Sequence, residues 1–243
     1  MARDTPRQPW KPQQIRIKAP LSLSQRSSIF LTRHTIVQLD KMSFEHTAII
    51  LLGPYDDFPH ANGKMYAPLR DSLAPTNTIA NLQELAMAAR MAQVPIFYGM
   101  HPLHSHGQRN IWSGADSTAV AGGAAGDESC EADFYDVLEP KPSNGDVVSE
   151  QHWNHSAFAN TDLNSQLKRR KITNVVIAGV ASETCLESTA RYAYELSYHV
   201  TILADATAST ATTAKDMAAT LTWPKTMHEV TTVSEWAGAL FHY

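Results

Sequence analysis

From Thr47 to the carboxyl end, short apolar runs alternate with longer stretches in which apolar positions recur every three or four residues. The runs at 47–52, 94–99, 146–148, 175–177, 199–203 and 228–233 are rich in Val, Ile and Leu and read as short buried strands. Between them the longer spacing predicts helices. One spans 68–93, with Ile79, Leu82, Leu85, Ala86, Ala89 and Met91 as its apolar side. Another spans 161–171, with Thr161 or Asn160 as N-cap. A third starts at Thr184 and turns Leu186, Ala190, Ala193, Tyr194 and Leu196 inward. A helical turn at 134–138, a helix near 211–221 and a terminal helix over 235–240 capped by Ser234 complete the pattern. Strand, helix, strand in repetition gives βαβ units. The predicted class is α/β: three layers, α/β/α, around a parallel Rossmann-like sheet of about six strands.

Composition narrows the function classes. A chain of 243 residues suits one such domain plus an extension. A formal net charge of −4 gives no reason to expect a nucleic-acid partner. No apolar run approaches the roughly 18 residues that span a bilayer, so no membrane partner is expected. The two cysteines, Cys130 and Cys185, suggest no disulfide framework, which makes a reducing cytoplasmic setting the default. Residues 1–45 are basic, rich in serine and interrupted by Pro6, Pro9, Pro12 and Pro20, and they read as an extension to a domain at 46–243. A mitochondrial transit peptide and an arm that packs on the domain or on a neighbouring subunit are the alternative readings. Met42 is a second plausible start.

The chemistry gathers around Cys185. Gly179, Val180, Ala181 and Ser182 make a tight turn between a strand and a helix, and the thiol follows at the helix start. Unpaired amides and the helix dipole there favour an anion, so a lowered thiol pKa is expected. The carboxyl end of a parallel strand is also where open α/β sheets place ligands. Three other segments follow strand ends. The first is Gly53-Pro54-Tyr55-Asp56-Asp57-Phe58; the second is a loop with His101, His104 and His106. The third is the string from Ser149 to Leu163, with Glu150, Gln151, His152, Trp153, His155 and Phe158.

The string Gly-Val-Ala-Ser-Glu-Thr-Cys-Leu-Glu-Ser-Thr-Ala-Arg-Tyr-Ala-Tyr-Glu-Leu at 179–196, followed by His-Val-Thr-Ile-Leu-Ala-Asp-Ala-Thr-Ala at 199–208, closely resembles the nucleophile segment of the isochorismatase-like cysteine hydrolases. That family includes nicotinamidases, ureido- and biuret-type amidohydrolases and isochorismatase itself. The resemblance spans roughly residues 46–241. It implies a nucleophilic Cys185, a cis peptide at Val180–Ala181, and an oxyanion held by the backbone amides of Ala181 and Cys185. It also places the family's general-base aspartate at Gly53 and its lysine at Glu150, or at Gln151 with different gapping; neither residue type is retained. Asp56, on the following loop, is an alternative base. Tyr55, Phe58, His101, His104, His152, Trp153, His155, Phe158, Val180 and Glu183 are the substrate-contact candidates; His101 and His104 follow a strand's carboxyl end, Glu150 is a candidate acid or base, and His152 or His155 a candidate to activate the thiol.

No cofactor is expected. The metal-binding nicotinamidases carry an Asp-x-His-x-His pattern whose aspartate is missing here, so no metal is expected either. Family members usually form dimers or tetramers, which implies a homo-oligomer. The resulting expectation is an enzyme acting on a small metabolite with non-standard chemistry around Cys185. It would hydrolyse a C–N or ester bond, or carry out a lyase or rearrangement step, with little ordinary nicotinamidase activity. The alternative is a pseudoenzyme that binds a small molecule or a protein partner through the former active-site pocket.

Overall fold

A computed structural model describes residues 44–55, 66–100, 134–152 and 155–241. The basic extension lies outside these apart from its last two positions, as do Asp56, Asp57, Phe58, Trp153 and the loop with His101, His104 and His106. Within them, one six-stranded sheet runs in the order β3-β2-β1-β4-β5-β6, and every neighbouring pair is parallel. The strands are β1 (Thr47–Leu52), β2 (Ile96–Gly99), β3 (Val147–Val148), β4 (Asn174–Val180), β5 (His199–Ala208) and β6 (Glu229–Thr231). The helices are α1 (Tyr66–Leu73), α2 (Thr78–Met91), α3 (Leu163–Arg169), α4 (Glu187–Glu195), α5 (Thr212–Met217), α6 (Trp223–Thr226) and α7 (Val233–Phe241).

The period-two alternation of a strand divides the core into two layers. Ile49, Leu51 and Val176 face one side, where they pack with Leu82 and Leu85 of α2 and Trp236 of α7. Ile50, Leu52, Val175 and Ile177 face the other, against Leu163 and Leu167 of α3, Leu186, Ala190 of α4 and Trp223 of α6. All six residues of β1 are buried, which explains why its sequence is a continuous apolar run. Burying each such Leu or Ile contributes about 1.5–3 kcal/mol.

Several boundaries differ from those the pattern predicts. The helix expected over 68–93 is two helices, because Pro75 cannot continue α1 and Asn77 takes a left-handed φ of 49° before α2. Met91 is exposed, not core: at about 100° per residue it lies opposite Ala89, which is fully buried. Tyr194 is also exposed, and its ring leans on His228 at 5.0 Å. The helix expected to reach Lys171 stops at Arg169, and Lys171 turns left-handed at φ 57°.

Of the predicted caps, one holds in part and one moves. Asp162 precedes α3 without a side-chain cap bond, while the Thr161 hydroxyl accepts the Leu163 N–H at 3.4 Å and donates to the Ala157 carbonyl at 2.5 Å, and Asn160 sits at φ 59°. At α7 the cap is Thr232, not Ser234. Glu235 N–H donates to Thr232 Oγ1 at 3.2 Å, and Thr232 N–H donates to Glu235 Oε2 at 3.3 Å, a reciprocal capping box. The helix after Ser209 continues past Leu221 through a wide turn at Ala218–Thr222 into α6. β5 outruns its predicted end because its register with β4 slips, from Ile177↔Ile202 to Gly179↔Thr207. That slip leaves Asp205 free to accept the Val233 N–H at 2.9 Å.

Candidate active site

The carboxyl ends of the central strands bring the candidate segments to one edge. Leu52 is in register with Gly99 on one side and Gly179 on the other. Gly53 N–H donates to the Gly99 carbonyl at 3.3 Å. Beyond β3, Ser149 donates through both its N–H and its hydroxyl to the Tyr98 carbonyl, and His152 N–H donates to Met100. The Gly53, Ser149–His152 and Val180 segments thus emerge along the same rim. Two glycines make this edge possible. Gly179 has φ +117°, and a Cβ there would stand 2.1 Å from the Leu52 carbonyl oxygen, so only glycine lets β1 and β4 approach. Gly53 has φ +59°, and a Cβ there would meet the Val180 carbonyl oxygen at 3.1 Å.

The cysteine turn starts with the cis peptide Val180–Ala181, as the resemblance implies. It is wider than an α-helical turn: Leu186 N–H reaches back five residues to the Ala181 carbonyl at 3.1 Å. Regular helix begins only at Glu187. Cys185 is 4% exposed and packs with the layer that holds Leu186 and Ala190. The Thr184 hydroxyl lies 3.9 Å from Sγ as a donor, and the Ala181 backbone amide also hydrogen-bonds the thiol.

Contrary to the expectation of a lowered thiol pKa, the Cys185 thiol is pushed up. Burial is the largest cause; the Thr184 hydroxyl and the Ala181 amide pull it back, and the Glu183 carboxylate raises it. The reason is positional. Cys185 precedes the regular helix, and desolvation of a sulfur anion outweighs two neutral donors. The carboxylate acting on the thiol is that of Glu183 and not that of Glu150.

The remaining candidates are distributed as follows. Glu150 is exposed, and its N–H donates to Asp162 Oδ1 at 2.9 Å. Gln151 and His155 are exposed, whereas His152 is buried. Phe158 is buried and stacks on Tyr192 at 5.9 Å. Tyr55 forms a bridge with Phe134. Val180 faces Gly53 through its carbonyl oxygen. Glu183 accepts from the Thr210 N–H at 3.2 Å and from the Thr210 hydroxyl at 2.8 Å.

Sequence reasoning missed three hydroxyls. Thr184 sits beside the thiol, Thr189 Oγ1 accepts the Ala157 N–H at 3.0 Å, and Thr210 holds Glu183. Thr184 was findable as the cysteine's neighbour. Thr210 was not, since its partner is 27 positions away. Among the described residues no three His, Cys, Asp or Glu side chains are grouped to hold a metal ion.

Comparison with known proteins agrees with this geometry. The isochorismatase domain model matches residues 60–235, beginning past β1 and Gly53. Ureidoacrylate amidohydrolase RutB of Pseudomonas syringae pv. syringae is 26% identical over 180 residues, covering 69% of this chain and 72% of that protein. RutB of Methylorubrum extorquens is 42% identical over 74 residues, 30% of this chain and 29% of that protein. Among solved structures, a cysteine hydrolase from Pseudomonas syringae pv. phaseolicola superimposes with a TM-score of 0.65 at 24% identity, covering 81% of this chain and 92% of the other. An isochorismatase family protein from Burkholderia thailandensis gives 0.62 at 26% identity, covering 81% and 96%. With its family model matched over most of its length and its parallel sheet shared with these structures, the chain belongs to the isochorismatase family.

Proposed function

We propose that this protein is a hydrolase that cleaves a C–N bond in a small ureido- or carboxamide-type metabolite, with Cys185 as nucleophile and without an aspartate at position 53 as base. The observation that carries the reading is the cysteine turn itself. A buried thiol receives the Ala181 amide and the Thr184 hydroxyl, in a wide turn at the carboxyl end of a central parallel strand. The likeness to the ureidoacrylate amidohydrolases supports the substrate class.

In the proposed reaction Sγ joins the carbonyl carbon while the Ala181 and Cys185 amides hold the oxyanion. The C–N bond breaks, and the thiol proton leaves with the departing nitrogen. Water then splits the thioester and returns a proton to Sγ. Gly53 supplies no proton acceptor, so another group takes that role: the substrate's own nitrogen, Glu150 as acid or base, or His152 or His155 activating the thiol. An ester hydrolysis, or a lyase or rearrangement step, would draw on the same thiol.

A second reading is favoured by one observation. Burial raises the thiol, and position 53, where the resemblance puts the family's base, is a glycine; that combination suits a pseudoenzyme whose pocket only binds. A panel of ureido compounds, carboxamides and esters separates the two. Turnover lost on Cys185→Ala supports the hydrolase. Saturable binding without turnover, unchanged in Cys185→Ala, supports the pseudoenzyme. Nicotinamide turnover is expected to be slight. The protein is further proposed to self-associate as a dimer or tetramer, and light scattering that shows a monomer at micromolar concentration would oppose this.

A further inference from the structure

We propose that Glu183 is a positioning residue: its carboxylate, gripped by Thr210, ties the cysteine turn to the segment that follows β5 and so fixes where Sγ points. The inference rests on the reading of Cys185 as nucleophile, but its test does not depend on turnover. Glu183 lies in the wide turn two positions before Cys185. One carboxylate oxygen, Oε1, accepts both the N–H and the hydroxyl of Thr210, at 3.2 and 2.8 Å. The other, Oε2, accepts the adjacent Ser182 hydroxyl at 3.4 Å.

The far end of this tether is itself anchored. Ser209 N–H donates to the buried Ser72 hydroxyl at 3.1 Å, and the Ser209 hydroxyl and the Ala211 backbone bond each other at 2.9 Å. Ser182, at the near end, is fully buried. The wide turn needs such a restraint because it lacks the regular i→i−4 ladder. Ala181 O accepts Leu186 N–H at 3.1 Å and Thr184 N–H at 3.4 Å, and a side-chain clamp from outside the turn limits its alternatives. The hydrogen bonds of Glu183 go to Thr210 and Ser182, so it orients Sγ through the turn.

Two readouts on the full-length protein test this. Hydrogen exchange reports the Thr184 and Leu186 amides, and iodoacetamide labelling followed by intact mass reports the thiol. Glu183→Ala and Thr210→Val should each speed exchange at those amides about tenfold, the loss of roughly one hydrogen bond's worth of protection, and the double variant should add little to Glu183→Ala. Glu183→Gln keeps an oxygen for Thr210, so exchange should stay near wild type. Removing the charge should at the same time make Cys185 alkylate faster at pH 8, because the Glu183 carboxylate raises the thiol. Fully additive effects of Glu183→Ala and Thr210→Val would overturn the proposal, as would exchange in Glu183→Gln equal to that in Glu183→Ala. Failure of every substrate in the panel, with this coupling intact, would remove the hydrolase reading and leave the tether standing.

Discussion

At the residue scale two positions of the candidate site stand out, each for an environment that its neighbours in sequence do not report. Cys185 follows a strand and precedes a helix, which reads as an activated thiol, yet burial raises its pKa from the ordinary value of 9.0. At pH 7 the resting thiol is therefore neutral. Alkylation by iodoacetamide is expected to be slow at pH 7 and to keep climbing with pH beyond pH 9 without levelling off there. Rapid labelling below pH 7 would mean that a cation outside the described residues stabilises the thiolate. The linkage has a definite sign. A folded-state pKa above the unfolded one gives stability that is fully present below the unfolded pKa and is lost as pH rises through the folded one. Denaturant midpoints should accordingly fall in alkaline solution, and Cys185→Ser should flatten part of that fall.

Gly53 is the second position. Its left-handed φ costs any residue with a Cβ about 1–2 kcal/mol, and the Val180 carbonyl oxygen at 3.1 Å leaves little slack. Gly53→Ala should therefore lower stability by about that amount in urea titration, with unchanged m. The same geometry bears on restoring the missing base. Aspartate tolerates left-handed φ better than most residues. In the double variant Gly53→Asp with Glu150→Lys, the thiol should thus gain reactivity at pH 7 only if the strain moves the new carboxylate toward the cysteine turn; labelling no faster than wild type would favour the binding-only reading.

At the element scale, what was legible was whatever burial dictates directly. β1 was read to the residue, because a strand buried on both faces has one possible signature, an unbroken apolar run bounded by a turn. Ends were less legible, because long-range partners decide them. Thr232 caps α7 through Glu235, a local pattern that was readable, but Asp205 of β5 supplies another oxygen to the same helix start, and no spacing rule reaches that far. Asp162 looks like a cap and is instead spent on Glu150 N–H and on Gln166 Nε2 at 2.9 Å. The capping box yields a prediction. Thr232→Ala removes an acceptor for Glu235 N–H and the hydroxyl that donates to Glu235 Oε2 at 3.1 Å, and should cost about 1 kcal/mol. The donors around Glu235 also hold its carboxyl below 4.5. That contribution is present above the unfolded pKa and disappears as pH falls through the folded one. The Thr232→Ala penalty should accordingly shrink between pH 6 and pH 3, and a constant penalty would show that the cap acts without the carboxylate.

At the scale of the molecule, the sequence carried the layer order and the parallel sheet, because alternation of strands and helices leaves few topologies once right-handed crossovers are required. The site was legible as far as its backbone: the cysteine turn, the cis peptide and the glycine at the end of β1 stand where the resemblance put them. Its electrostatics were not, since the sign of the thiol shift depends on burial, which no spacing rule reports. The two cores share one sheet, and this gives the last prediction. Leu85 lies in one layer and Leu167 in the other, both essentially buried, with no member in common between the two clusters. Leu85→Ala and Leu167→Ala should each cost about 2–5 kcal/mol. Because they touch different neighbours, the double variant should lose the sum to within about 0.5 kcal/mol. Both should nevertheless shift a single transition, because β1 and β4 contribute alternate side chains to both layers and neither layer keeps its floor when the other unfolds. Circular dichroism, and the fluorescence of variants that keep only Trp236 or only Trp223 of the five tryptophans, should then give coincident midpoints for the two layers. If the Leu167→Ala variant separated into two transitions, the sheet would be failing to couple its faces, and the cysteine turn, packed in the Leu167 layer, could unfold without the rest.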